Sequence, residues 1–126
     1  MDALDKNEVC IVLEDWLGNV VTVENPLTLQ AVNDFSHGFL AYETKSANIL
    51  AAAENDPECV IANAYAAMLC MFAESREAPV LARPYIDRAE AGAAKATERE
   101  RLIVASGRAW VNNNIPQALH LIAEIA

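Results

Sequence analysis

Apolar residues recur at three- and four-residue steps along most of this chain, which is the spacing of one face of an α-helix. The clearest example is the stretch 97–126, where two such apolar sets are separated by Asn112–Asn114 and then Ile115-Pro116. Asn tolerates the left-handed backbone of a helix end, and Pro suits the first turn of a following helix. This stretch therefore predicts two helices joined by a tight turn.

The same periodicity predicts four further helices upstream. Asn25-Pro26 and Asp56-Pro57 favour helix starts, with Asn25 and Asp56 as the capping residues. Pro84 lacks a backbone N–H, so we expect it to kink the fourth helix or delay its start. The six expected helices span about 26–41, 44–54, 57–73, 78–91, 98–111 and 115–126.

Four residues in the last third of the chain predict local detail. Thr97 and Glu100 have the spacing of a capping box, in which each side chain bonds the other residue's backbone N–H. Gly92 is a suitable helix stop. Gly107 costs about 1 kcal/mol relative to Ala inside a helix, which indicates close approach by another helix or by a ligand.

The apolar faces predict which side chains are buried. The third helix is apolar nearly all round, so we expect it to lie centrally between neighbours. The last helix presents an apolar face through Ala118, Leu121, Ile122 and Ile125. The first helix is expected to bury Leu27, Ala31, Val32, Phe35, Phe39 and Tyr42.

Residues 1–25 form an expected N-terminal arm, and residues 26–126 an expected helical domain. The β-branched runs at 9–13 and 20–23 flank Gly18-Asn19, which favours a short hairpin. The alternative is an extended arm anchored by Trp16. An isolated hairpin is only marginally stable, so in the first case it must pack on the helices.

The composition fits one helical domain. Hydrophobic residues make up 54% of the 126 residues, but aromatic residues only 6%, and there are only 4 glycines. The net charge is −9, and residues 1–74 hold twelve acidic against two basic side chains. Such a surface repels nucleic acid, so we expect no nucleic-acid partner. The acidic half is either ordinary solvated helix surface or a face for a basic partner.

The chain contains no apolar run of the roughly 20 residues that a membrane span needs, and its acidic start lacks a secretory signal core. Three cysteines (Cys10, Cys59 and Cys70) are an odd number at unrelated spacings, which favours reduced thiols in a cytoplasmic protein. No zinc-type spacing joins them, so we expect no metal and no cofactor.

Catalytic motifs are missing: there is no Gly-rich phosphate loop, G-x-S-x-G or H-E-x-x-H. We therefore expect no enzymatic activity. Asp34 and His37 could share a helix face and begin a polar or metal site, although His120 lies far along the chain. An enzyme or enzyme accessory with a pocket near His37 is thus the alternative interpretation.

Helix pairs recur with a period near 34 residues, at about 26–54, 57–91 and 98–126. This pattern resembles the tetratricopeptide repeat. Asp56-Pro57 resembles the usual repeat end, and Asn113-Asn114-Ile115 stands where the family often has Gly-Asp-Tyr. The usual Trp and Tyr anchors of the first helices are missing.

Within that superfamily, the chain resembles the start of the tetratricopeptide repeat protein 38 family over roughly residues 14–126. The matching segments are Asp15-Trp16-Leu17-Gly18-Asn19, Ala31-Val32-Asn33-Asp34-Phe35, Asp56-Pro57 with Ala62-Asn63-Ala64, and Thr97-Glu98-Arg99-Glu100-Arg101 leading to Ala109-Trp110.

The resemblance implies an all-α, right-handed α-solenoid of antiparallel helix hairpins that acts as a protein–protein interaction scaffold. The first helix of each pair would line a concave face for a protein or peptide partner. Trp110 is the leading contact candidate, and the alternative is that it packs on the sixth helix. By position, the implied binding residues are Ala64, Met68, Met71, Ile103, Gly107 and Trp110.

Members of the family are several times longer, so the resemblance leaves two explanations for the apolar last helix. Either a second copy covers it in a homodimer, or further residues follow it. A third interpretation of the chain is a structural oligomerisation unit of a longer protein.

Overall fold

The computed structural model describes residues 12–15, 18–41 and 47–125. Within these ranges it contains a two-stranded antiparallel sheet and six α-helices, which confirms the all-α class with a short hairpin added. The elements are β1 (Val12–Glu14), β2 (Val20–Thr22), α1 (Pro26–Ala41), α2 (Asn48–Asn55), α3 (Val60–Phe72), α4 (Ala78–Gly92), a 3₁₀ turn (Ala93–Lys95), α5 (Glu98–Val111) and α6 (Ile115–Ile125).

Local sequence signals account for several of these boundaries. The Asn25 side chain accepts the Leu27 N–H at 2.9 Å, so it caps α1 as expected. Thr97 and Glu100 form both halves of the capping box at the start of α5. Asn113 has φ +62°, which confirms the left-handed turn between α5 and α6.

Other boundaries differ from expectation. Helix α3 begins at Val60 after Cys59, and no side-chain hydrogen bond caps it, so the prediction that Asp56 is the cap was wrong. Asp56 instead accepts a hydrogen bond from the Thr28 hydroxyl at 2.9 Å, which ties the end of α2 to α1. Helix α4 begins at Ala78 and continues through Pro84, so Pro84 does not delay its start.

The expected start of the second helix, at 44–46, lies outside the described residues. Gly92 ends α4 with φ −100°, so its role is not a left-handed stop. A Cβ at this position would lie 2.9 Å from Val60 Cγ2, which shows that Gly92 is needed for close packing against the start of α3.

Each helix packs against the next one along the chain, and α3 also contacts α1, α5 and β2. Helix α3 is therefore central, as its all-round apolar pattern predicted. Residues 60–67 of this helix are all buried. The neighbouring helices supply further alanines, including Ala82 and Ala89, which are fully buried and allow close approach.

Burial in α1 follows the expectation only in part. Ala31, Val32 and Phe35 are buried, but Leu27 is 79% exposed. The prediction for Leu27 was therefore wrong. The side chains of Phe39 and Tyr42 lie outside those that the structure describes.

Of the two alternatives for residues 9–23, the structure has the hairpin. Val12 pairs with Thr22, and Glu14 with Val20, in antiparallel register. Asp15 and Asn19 close the turn through the Asp15 N–H to Asn19 C=O bond of 2.8 Å. Residues 1–11 and Trp16 lie outside the described part of the chain. The anchor role of Trp16 therefore stays a prediction.

Candidate protein-interaction site

The six residues that the resemblance placed on a binding face have unequal access to solvent. Ala64 is fully buried, Ile103 is 5% exposed and Met71 is 9% exposed, and Gly107 is buried as well. These four pack between helices and do not form an open surface. Only Met68 and Trp110 are partly exposed. A ligand face on α3 and α5 must therefore use other residues in addition.

Gly107 is explained by helix packing. A Cβ at this position would lie 3.0 Å from Ile86 Cδ1 and 3.6 Å from Met68 Cε. The missing side chain therefore allows α5 to approach α3 and α4. Of the two explanations offered by the sequence, close approach of a helix accounts for this glycine.

Phe72 is the surface residue that completes the aromatic patch around Trp110. The two rings lie edge to face, with centroids 4.7 Å apart and an interplanar angle of 86°. Phe72 is 46% exposed, although it belongs to a helix whose residues 60–67 are all buried. Its position at the last residue of α3 was the available signal, because helix ends project beyond their neighbours.

A stripe of exposed apolar residues runs along α6. Ile115, Leu119 and Ile122 are 41%, 62% and 49% exposed, and their i, i+4, i+7 spacing places them on one face. We call these three residues the α6 stripe. Of the apolar face predicted for this helix, Ala118 is buried and Ile125 packs against the core. The apolar face of α6 is therefore wider than the part of it that α5 covers.

Near Tyr65, two turns before Phe72 on α3, the helix is covered by side chains of its neighbours. Tyr65 is 8% exposed and stacks on Phe35, with ring centroids 4.6 Å apart. Burial raises the pKa of the Tyr65 hydroxyl, although hydrogen bonds to Ser36 and Arg99 oppose this. The Tyr65 hydroxyl therefore stays protonated at neutral pH and bridges α1 and α5.

Glu100 connects the hairpin to α5. Its Oε1 accepts the Thr97 N–H at 2.9 Å, and its Oε2 accepts the Thr22 N–H at 2.8 Å. The Glu100 side chain is 0% exposed, so both donors replace water around the carboxylate. The start of a helix is also a favourable position for a negative charge. The sequence predicted the capping bond, but not the bond to a residue 78 positions earlier.

Salt bridges join α4 both to α5 and to α2. Arg108 on α5 donates to both carboxylate oxygens of Glu90 at 2.9 Å and 2.7 Å, and also to Asp87. These bonds raise the pKa of Arg108 above its usual value. Arg88 binds Glu54 at 3.3 Å, and the Tyr85 hydroxyl and Arg88 together lower the pKa of Glu54. Since the carboxylates are exposed, these pairs align helices but contribute little stability.

The groove near Asp34 does not include His37. It has a volume of about 290 Å³, lies between α1 and α2, and is bordered by Asp34, Asn48, Asn55 and Gln30 among others. Asp34 accepts a hydrogen bond from the Asn48 amide at 3.1 Å, so part of its polar edge is already paired. His37 is exposed. Within the described ranges no group of three or more His, Cys, Asp or Glu side chains could hold a metal.

The two described cysteine thiols are held protonated. Burial raises the pKa of Cys59 to about 11 and also raises that of Cys70. A thiol with a raised pKa is a poor nucleophile at neutral pH. Both residues therefore behave as small packing residues, and Cys10 lies outside the described part of the chain.

The comparisons with known proteins give no relative. No family model, no curated protein and no solved structure matches the chain. Among the described helices, none is long and apolar enough to cross a membrane.

Proposed function

We propose that this protein is a non-catalytic protein–protein interaction module, built as a tetratricopeptide-like right-handed α-solenoid, and that it forms a homodimer. The contacts of α1 with α3 and of α3 with α5 support the repeat arrangement, because the first helices of successive pairs contact one another in such a stack. The Arg88–Glu54 pair joins residues 34 positions apart, which equals the repeat length.

The α6 stripe is the observation that carries the interaction role. Three large apolar side chains that are 41% to 62% exposed on one helix face expose apolar area that a partner can bury. The polar residues His120 and Glu124 lie on another face of the helix, 3.9 Å apart. The stripe itself is free of charges, as is usual at the centre of an interface.

A second copy is the proposed partner, because the stripe is self-complementary. In an antiparallel pair of α6 helices related by a two-fold axis, Leu119 of one copy lies against Ile122 of the other. In such an isologous interface each contact between stripe residues occurs twice, once on each side of the two-fold axis. Beyond the dimer, the partly exposed Phe72–Trp110 pair is the proposed site for another protein or peptide.

The solution mass tests this proposal. Light scattering after size exclusion is expected to give twice the monomer mass of 13.7 kDa. Leu119→Arg places a charge in the stripe and should return the protein to one copy, because burying an unpaired charge is costly. Leu81→Arg is the matched control, since Leu81 is also exposed, at 57%, but lies on α4.

A monomer at all concentrations up to the millimolar range would refute the homodimer. Equal dissociation by Leu119→Arg and Leu81→Arg would refute the assignment of the interface to α6. Far-UV circular dichroism must show unchanged helix content in both variants, so that the mass reports association and not unfolding.

A further inference from the structure

Strand β2 is bound to the helices in the way that an extended peptide is bound by a receptor. Val21 and Val23 are 0% and 1% exposed, so alternate side chains are buried in the helical core. Between them, the Thr22 N–H donates to Glu100 Oε2 at 2.8 Å. Alternate apolar side chains with a main-chain hydrogen bond between them are the elements of strand recognition.

The hairpin that carries this strand is small. Each strand has three residues, and a two-stranded hairpin of this size is marginal by itself in water. Asp15 and Asn19 form a hydrogen-bonded pair, so by alternation the N–H groups of Val20 and Thr22 face away from β1. The Thr22 N–H therefore stabilises the docking of the hairpin and not its internal pairing.

Glu100 determines what can occupy this position. Its carboxylate is fully buried, and departure of β2 would leave Oε2 without the Thr22 donor. A buried acceptor without a donor is costly, so any replacement must supply an N–H at the same place.

Strand β2 contacts α3, the helix that ends at the aromatic patch of Phe72 and Trp110. Tyr65, Met68 and Phe72 follow one another along one face of α3, at spacings of three and four residues. Exposure rises along this line from 8% at Tyr65 to 46% at Phe72. At the covered end, the Tyr65 ring stacks on Phe35 of α1. One surface is thus covered at one end and open at the other.

We propose that β2 is a displaceable strap, and that an extended peptide with β-branched residues at alternate positions takes its place and continues towards Phe72 and Trp110. This inference rests on the proposed role in protein binding and names the partner's chemistry. The peptide must also carry a free main-chain N–H between its two buried side chains, because Glu100 requires that donor.

The test uses the full-length chain and a fluorescent synthetic peptide of residues 19–24. Thr22→Pro in the protein removes the donor to Glu100, and proline is tolerated where a strand N–H faces outwards. A hydrogen bond to a charged group corresponds to a factor of about 10 to 100 in an equilibrium. We therefore expect the peptide to bind Thr22→Pro about 10- to 100-fold more tightly than the original protein, by fluorescence polarisation.

Two controls isolate the Glu100 bond. Val20→Pro removes the other outward N–H of β2, but the Thr22 donor to Glu100 stays in place, so peptide affinity should be unchanged. A peptide that itself carries Thr22→Pro lacks the donor and should fail to bind any variant. Hydrogen exchange at residues 20–23 should accelerate in Thr22→Pro and not in Val20→Pro.

Three results would overturn the proposal: equal peptide affinity for the original protein and Thr22→Pro, binding by the proline peptide, or unchanged hydrogen exchange in Thr22→Pro. If Thr22→Pro unfolds, Val23→Ala loosens the strand without touching Glu100, and a gain of about tenfold is expected. The measurements are repeated in the Leu119→Arg background. If the peptide binds in this background although no dimer forms, the β2 proposal holds independently of the homodimer proposal, so the two can fail separately.

Discussion

Helices α3 and α6 are both strongly apolar, yet they have opposite surroundings. In α3, eight consecutive residues from Val60 to Ala67 are buried, including the polar Asn63. In α6, by contrast, only Ala118 is buried, and Leu119 is 62% exposed. Helix α3 contacts α1, α2, α4 and α5, whereas the main contact of α6 is α5.

This difference shows that apolar composition measures how much surface a helix can bury, and not how much it does bury. The free energy gained is proportional to the apolar area removed from water, which requires a neighbour on that side. Asn63 illustrates the cost of the central position: its amide donates to the carbonyls of Pro57 and Cys59 at 2.9 Å each. The apolar face that α6 leaves exposed is the one that the proposed dimer would bury.

The largest expected difference between the two helices is in the cost of deleting an Ile side chain. Ile61→Ala in α3 should lower the free energy of unfolding by about 3 kcal/mol, because Ile61 is 0% exposed and the deletion leaves a cavity. Ile122→Ala in α6 should cost less than about 1 kcal/mol, because Ile122 is 49% exposed. Urea unfolding in the Leu119→Arg background measures both values without a contribution from association.

Equal losses of stability for the two substitutions would contradict the contrast between α3 and α6, since they would mean that Ile122 is as fully packed as Ile61. A larger loss for Ile122→Ala in the original protein than in the Leu119→Arg background would instead locate the missing neighbour of α6 in a second copy.

An intermediate effect is expected from Cys59 at the start of α3, as a function of pH. Burial raises its pKa to about 11 from an ordinary value of 9.0, so between these pH values the unfolded chain loses a proton that the folded protein keeps. The stability is therefore fully present below pH 9 and falls as the pH rises to about 11. The loss attributable to this thiol is about 2 to 3 kcal/mol.

Cys59→Ala removes the titrating group, so its stability should fall less steeply across this window. Cys70→Ala is the control at the partly exposed end of the same helix, and its profile should stay closer to that of the original protein. Urea midpoints measured at half-unit steps of pH would show the difference. Parallel profiles for Cys59→Ala and the original protein would mean that Cys59 is solvated.

The smallest effect is expected at the contact between α5 and its neighbours. Gly107→Ala introduces a Cβ 3.0 Å from Ile86 Cδ1, which costs about 1 to 3 kcal/mol in a packed core, but it gains about 1 kcal/mol of helix propensity. We expect a net loss of about 1 kcal/mol in thermal or urea unfolding. Ala105→Gly, at an exposed position of α5, measures the propensity contribution alone.

A gain in stability from Gly107→Ala would show that the Ile86 side chain moves away at little cost. In that case the contact of α5 with α4 would be looser than the packing around Ile61, and the contrast between the centre and the end of the helix stack would extend to α5 as well.

Local sequence signals predicted much of the helical framework and little of the candidate site. The bounds of α1, the capping box at Thr97 and the left-handed turn at Asn113 follow from interactions within four residues. The aromatic partner of Trp110 was not predicted, because Phe72 lies 38 positions earlier and the two residues meet only when α3 and α5 pack.

The sequence by itself determined most of the helix positions and several of the helix ends, since capping, helix periodicity and turn geometry depend on neighbours along the chain. The tertiary structure alone decided which apolar faces are covered. Leu27 and Leu119 fit the same helical patterns as buried residues, but no neighbouring element covers them in the described structure. Likewise, Glu100 was recognisable as a cap, whereas its bond to Thr22 required folding to bring residues 78 positions apart within 2.8 Å. Periodicity specifies a face, and only packing specifies what lies against it.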